Sequence, residues 1–123
     1  MTKSVNDLVV DEALNYIKTN CDKMVLLPAA VTTIGSASST AIAETSMTAG
    51  QFVLSDGDVS GRKVTVSAVA SVSVTATDTA THCALLDSGT ALLALTTVST
   101  ATALTSGGTV DIGSWAYEIE DPT

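Results

Sequence analysis

The sequence predicts a mainly β protein, an antiparallel β-sandwich with one N-terminal α-helix, and three observations carry that prediction. From Val64 to Ala76 every even position is apolar, and the odd positions, Val69 excepted, are hydroxylated. This is strand periodicity held for the length of two strands. Residues 80–87 and 90–97 flank Ser88-Gly89, which has the length and the glycine of a short hairpin loop. Convincing helical spacing occurs once, where Val10, Ala13, Leu14, Ile17 and Cys21 form a single apolar stripe. The 123 residues fit one domain. Residues 1–9 are expected to form an arm, 10–22 the helix and 24–120 the sandwich, with a jelly roll as one arrangement of the strands.

In chain order, Ser4 and Asp7 are spaced like a capping box, and Asp11-Glu12 sits well near a positive helix N-terminus. The helix is expected to end at Thr19-Asn20. Residues 24–27 form a short apolar strand closed by Pro28. Residues 29–50 are rich in Ala, Ser and Thr without a period, so a long loop is expected, anchored by Ile42 and Met47 around a short strand within 40–47. Phe52, Val53 and Leu54 form the next strand. Asp56 and Asp58 then lie in a polar turn that lacks the further acids of a calcium loop. That turn is expected to use Gly57 and Gly61 at positive φ.

The periodic stretch supplies two strands, with a bulge expected near Val69 because no Gly or Asn is present for a tight turn. Its odd face, Thr65, Ser67, Ser71, Ser73 and Thr75, reads as one neutral hydroxyl stripe lying against a neighbour. The hairpin of residues 80–97 is strongly apolar through Leu85, Leu86, Leu92, Leu93 and Leu95, so it is expected in the middle of the fold. Residues 98–104 follow as a connection or edge strand. The alternation then shifts phase at Gly113-Ser114, which marks a break before Trp115, Tyr117 and Ile119, and Pro122 cannot continue a ladder.

Composition narrows function mainly by exclusion. Hydrophobic residues make up 46% but aromatics only 3%, so the core is built from Ala, Val, Leu and Ile. Ser and Thr account for 34 of the 123 residues, and between Val64 and Val110 the only formal charges are Asp78 and Asp87. Free monomers keep sheet surfaces soluble with Lys and Glu, so this segment is expected to be covered by another copy or another protein. The net charge of -8, with five scattered basic residues, argues against direct nucleic-acid binding. The most apolar run, residues 24–31, falls far short of the ~20 residues of a spanning helix, so no membrane role is expected. No secretory signal is read at the N-terminus, and folding in a cytosol is expected.

The chemistry-bearing residues form no catalytic pattern. His82 and Cys83 are neighbours on an expected strand and so point to opposite faces, which separates base from nucleophile. No serine elbow, phosphate loop or paired carboxylate motif is present, so no catalytic, metal or cofactor-binding residues are assigned. Cys21 and Cys83 read as small buried thiols, with a disulfide within or between chains as the alternative. Trp115 and Tyr117 are interface candidates, set against membership of the domain's own core.

The strings ALNYIKTNCDKM, GDVSGRKVTVSA, ATHCALLDSGTALLALTTVS and EIEDPT, taken together, resemble a group of small tailed-bacteriophage virion proteins. The resemblance spans most of the chain, from Ala13 to Met24, Gly57 to Ala68 and Ala80 to Ser99. It implies a non-enzymatic virion part assembled in the host cytoplasm, foremost a capsid decoration or cement protein. Such a protein binds itself as a homo-oligomer and the major capsid protein or another virion protein. The alternatives are a neck, collar or tail-fibre-associated protein, or a host glycan-binding β module.

Overall fold

The computed structural model describes residues 4–121, so the first three residues of the expected arm and the role of Pro122 lie outside the described residues. Helix α1 spans Asp7–Asn20 and begins ahead of its apolar stripe. Its cap is Asn6 rather than the Ser4–Asp7 pair, and the Asn6 side chain accepts the Leu8 N–H at 2.8 Å. Val10, Leu14, Ile17 and Cys21 are buried as the spacing predicts, whereas Ala13 faces solvent.

Among the described residues nine strands follow: β1 Lys23–Leu27, β2 Ala43–Ser46, β3 Phe52–Asp56, β4 Arg62–Val66, β5 Val69–Ser73, β6 Asp78–Asp87, β7 Ala91–Leu104, β8 Thr109–Ile112 and β9 Trp115–Ile119. They form a four-stranded sheet in the order β2-β1-β6-β7, a three-stranded sheet β3-β4-β9 and a two-stranded sheet β5-β8, all antiparallel. The result is a mainly β, sandwich-like fold with an N-terminal helix.

A second helix, α2, Ile34–Thr40, occupies part of the segment read as loop. Its residues are poor helix formers, and local bonds compensate. Thr33 accepts the Ser36 N–H at 3.1 Å, and the Ser39 and Thr40 hydroxyls donate back to the Ser36 carbonyl. Packing completes it: fully buried Ala37, with Val31 and Ile34 beside it, covers Val25, Leu27, Ala84 and Leu86 on the outer face of the four-stranded sheet. That cover is why β1 reads as an unbroken apolar run, since both of its faces are enclosed.

Strands β4 to β9 are two arms of one ribbon. Arg62 stands opposite Ile119, Val69 opposite Ile112, Asp78 opposite Leu104 and Asp87 opposite Ala91, nested around the turn at Ser88-Gly89. β4, β5 and β6 run up one arm, and β7, β8 and β9 return down the other. The ribbon bends twice, and both arms break at the same height each time. The first bend is at residues 67–68 and 113–114, where the Ser114 hydroxyl donates to the Val66 carbonyl at 2.9 Å. The second is at 74–77 and 105–108, where Val74 exchanges backbone bonds with Gly107 and Gly108. The folded ribbon thus forms three nested strand pairs, one in each of the sheets of four, three and two strands. At its tip Asp22 accepts the Ser88 N–H at 2.9 Å, which lowers its carboxyl pKa below the ordinary value.

Two sequence expectations change in this light. Residues 91–104 form one continuous strand, so the segment 98–104, expected as a connection or edge strand, continues the hairpin strand. β6 lies in the middle of its sheet, but β7 lies at the edge. One core joins α1 to all three sheets through residues such as Leu14, Met24, Phe52, Val66, Val72 and Leu85. Outside it, Arg62 clamps α1 to β4 by donating to Asp11 at 2.8 Å and to Asp56 at 2.7 Å.

In the 57–61 turn, Gly57 is not left-handed as expected, but Gly61 is, at φ 68°, and a Cβ there would collide with the Ile119 carbonyl oxygen. Gly89 is also left-handed, at φ 79°, but has open space around it. Gly89→Ala should therefore lose only the ~1–2 kcal/mol of left-handed strain, and Gly61→Ala distinctly more. Leu14→Ala should cost ~2–5 kcal/mol through the cavity it leaves. Urea denaturation of the three variants checks that order.

Candidate interaction surface

The hydroxyl stripe expected along one face is divided by the two bends. Thr65 lies on the outer side of β4 between Val53 and Ala116. Ser67 is at the first corner, and its N–H donates to the Gln51 carbonyl at 2.9 Å. Ser71 occupies a left-handed position at φ 56°, where the β5–β8 register shifts and the Asp111 carboxylate accepts its N–H at 2.8 Å. Ser73 stands opposite Thr109. Thr75 helps form the second corner, donating its N–H to Ile42 and accepting the Ser106 hydroxyl at 3.3 Å. Period-two alternation survives within each strand, but the bends turn successive strands onto different sheets. Ala68 and Ala70, on the even, apolar face whose periodicity implies burial, are consequently exposed.

The second arm concentrates the uncharged surface. β7 is fourteen residues, Ala-Leu-Leu-Ala-Leu-Thr-Thr-Val-Ser-Thr-Ala-Thr-Ala-Leu, without a charged residue, a proline or a glycine. Its outer side has no strand neighbour among the described residues. Leu92 and Leu95 pack against the small core under α2, and Leu93 and Val98 against the main core. All four are only partly buried, because a sheet edge is covered from one side.

Beside β7, where residues 98–101 face Thr81 alone in the ladder, a cleft of about 460 Å³ opens toward β8 and β9. Leu26, Ala80, Cys83 and Ile112 contribute apolar lining, with Thr96 and Thr97 on the β7 side and Trp115 from β9. Trp115 is half-buried, and its indole Nε1 is enclosed without a hydrogen-bond partner. The indole N–H is thus not offered to the cleft. Its one acid, Asp111, already holds Ser71. Tyr117, paired across from Val64, stays 40% exposed at the outer edge of β9. Trp115 therefore belongs largely to the domain, and Tyr117 is the accessible member of the pair.

The other reactive side chains are dispersed. His82 is half-buried beside the Thr81 hydroxyl, 2.8 Å from Nδ1, while Cys83 is buried. Asp56 and Asp58 are held by Arg62 and Lys63. Among the described residues no three His, Cys, Asp or Glu side chains cluster as metal ligands.

Cys21 and Cys83 are both buried, unlinked thiols of the main core, and Cys21 donates to the Lys23 carbonyl. Burial, with a smaller contribution from neighbouring Cys21, pushes the Cys83 thiol up to about 12. Thiolate is the reactive form, so Cys83 should resist iodoacetamide at pH 8 and react only as the protein unfolds. Raising the folded pKa above the ordinary 9.0 stabilises the protein below pH 9, and this contribution should be lost as pH rises from 9 toward about 12. Mass-spectrometric alkylation rates, with denaturation midpoints across that range in wild type and Cys83→Ala, measure both effects.

No family model, curated protein or solved structure matches the chain, so its surfaces carry the functional reading.

Proposed function

We propose that this protein is a non-enzymatic structural component of a tailed-bacteriophage virion, a decoration or cement protein that binds the assembled capsid shell and reinforces it. The observation that carries the reading is the long uncharged free edge of β7, together with the exposed Thr and Ala residues around the second bend. Such surface is poorly suited to a freely dissolved monomer and well suited to burial against protein. The folded ribbon supplies a stiff platform for it, because each corner is closed by hydrogen bonds between the arms. The acidic character of the chain favours protein over nucleic acid as the partner. Its copies and the major capsid protein are the partners implied, with assembly in the host cytoplasm.

The test is co-sedimentation of the purified protein with expanded shells that lack it, with copy number measured by quantitative mass spectrometry of whole particles. Saturable binding at many copies per shell is the expected result. Protein that remains in the supernatant would sink the proposal, and a few copies per virion would assign it to the neck, collar or tail instead.

A further inference from the structure

We propose that the outer edge of β7, residues 91–97, is a strand-pairing site for a second copy of the chain, joining two four-stranded sheets antiparallel across a two-fold axis. The other edges show what an edge looks like when it is meant to stay free. β2 is four residues long and carries Glu44, which pairs with Lys23, and its Ala43 is bridged to Val74. β3 ends in Asp56, β9 carries Glu118, and β8 carries Asp111. β5 is short and interrupted by the left-handed Ser71. Short length, charge and bulges are the common devices that prevent edge pairing. Over residues 91–97 β7 has none of them except the local irregularity opposite Leu85 and Leu86.

The pattern of burial indicates what is missing. Leu92 and Leu95 on one face, and Leu93 on the other, are left partly open although each packs on a core. A strand added beside β7 would complete the cover on both faces at once and would satisfy the outward backbone groups. The occupant must itself be uncharged and extended. Among the described residues the strand that meets this requirement with its own edge free is another β7. A chain of net charge -8 repels its copies almost everywhere, so a stretch without charge is where two copies approach at least electrostatic cost. Two identical edges related by a two-fold axis pair antiparallel and self-complementarily. The excess residues 98–101, facing Thr81 alone, bend β7 and set the far limit of the pairing.

The inference rests on the protein being an assembly component, yet pairing and shell binding are measured separately. Sedimentation velocity of the full chain over a concentration series should show a species of twice the chain mass, and hydrogen exchange should slow in residues 91–97 as that species forms. Thr97→Lys, at an exposed position, and Leu93→Lys should each weaken the dimer by about tenfold or more. If Leu93→Lys fails to fold, Thr97→Lys still decides. A strictly monomeric protein would overturn the pairing, even if it binds shells. So would a dimer whose constant and β7 exchange are unchanged in Thr97→Lys. A β7-paired dimer that does not bind shells would leave the pairing standing and overturn the virion reading.

Discussion

The register of one long antiparallel ribbon is the constraint on which the rest of the structure depends. From Arg62 opposite Ile119 to Asp87 opposite Ala91, the partners of six strands are settled by a turn at Ser88-Gly89. A slip of one residue anywhere along such a ladder would move every side chain beyond it to the opposite face. Val64, Val66, Val72, Val74, Cys83 and Leu85, all in the main core, lie on a single arm. The irregularities near Ser71, at residues 98–101 and opposite Leu85 absorb the residues that do not match between the arms. Asp22 ties the tip of the ribbon to the chain just after α1, so the turn that sets the register is held from outside as well.

Bending that ribbon makes a domain from it. A flat two-stranded ribbon cannot bury its apolar face against itself. Two corners fold the ribbon over, and α1 packs on β3 and β4 beneath the same core. The corners need small, hydroxylated or glycine residues, since backbone groups released from the ladder must find partners within a tight space. Ser67, Thr75, Ser106, Gly107 and Ser114 supply those bonds. Part of the unusual Ser and Thr content is therefore structural, while other Ser and Thr residues, including those on β7, take no part in closing the corners.

Charge is distributed to match. The ion pairs of Arg62 and Lys63 gather at the end of the domain where α1 meets β4, and Lys23 pairs with Glu44 on the β2 edge. The β7 edge is the opposite pole in this sense. The Lys23–Glu44 pair is exposed and adds little stability, whereas Arg62–Asp11 is part-buried; together their placement leaves one long strand uncharged. That asymmetry is the observation on which the proposed interaction rests.

Strand periodicity, the hairpin at Ser88-Gly89, the break at Gly113-Ser114 and the stripe Val10, Leu14, Ile17, Cys21 were legible from the residues, because each is a local pattern imposed by backbone geometry. Helix α2 was not, since its Ser, Thr and Gly residues have little helical preference and it is held by Ala37 against a sheet assembled from distant strands. The hydroxyl stripe was legible as alternation but not as a surface, for alternation describes one strand and says nothing of where the ribbon bends. The scarcity of charge over residues 64–110 was legible and directed attention to Thr65, Ser67, Ser71, Ser73 and Thr75, but that the longest uncharged strand, β7, has a free edge was not. Local periodicity alone thus determined the β class and the apolar positions. Cross-strand pairing decided which strand stands at the edge, because an edge exists only once every other strand has found its neighbour.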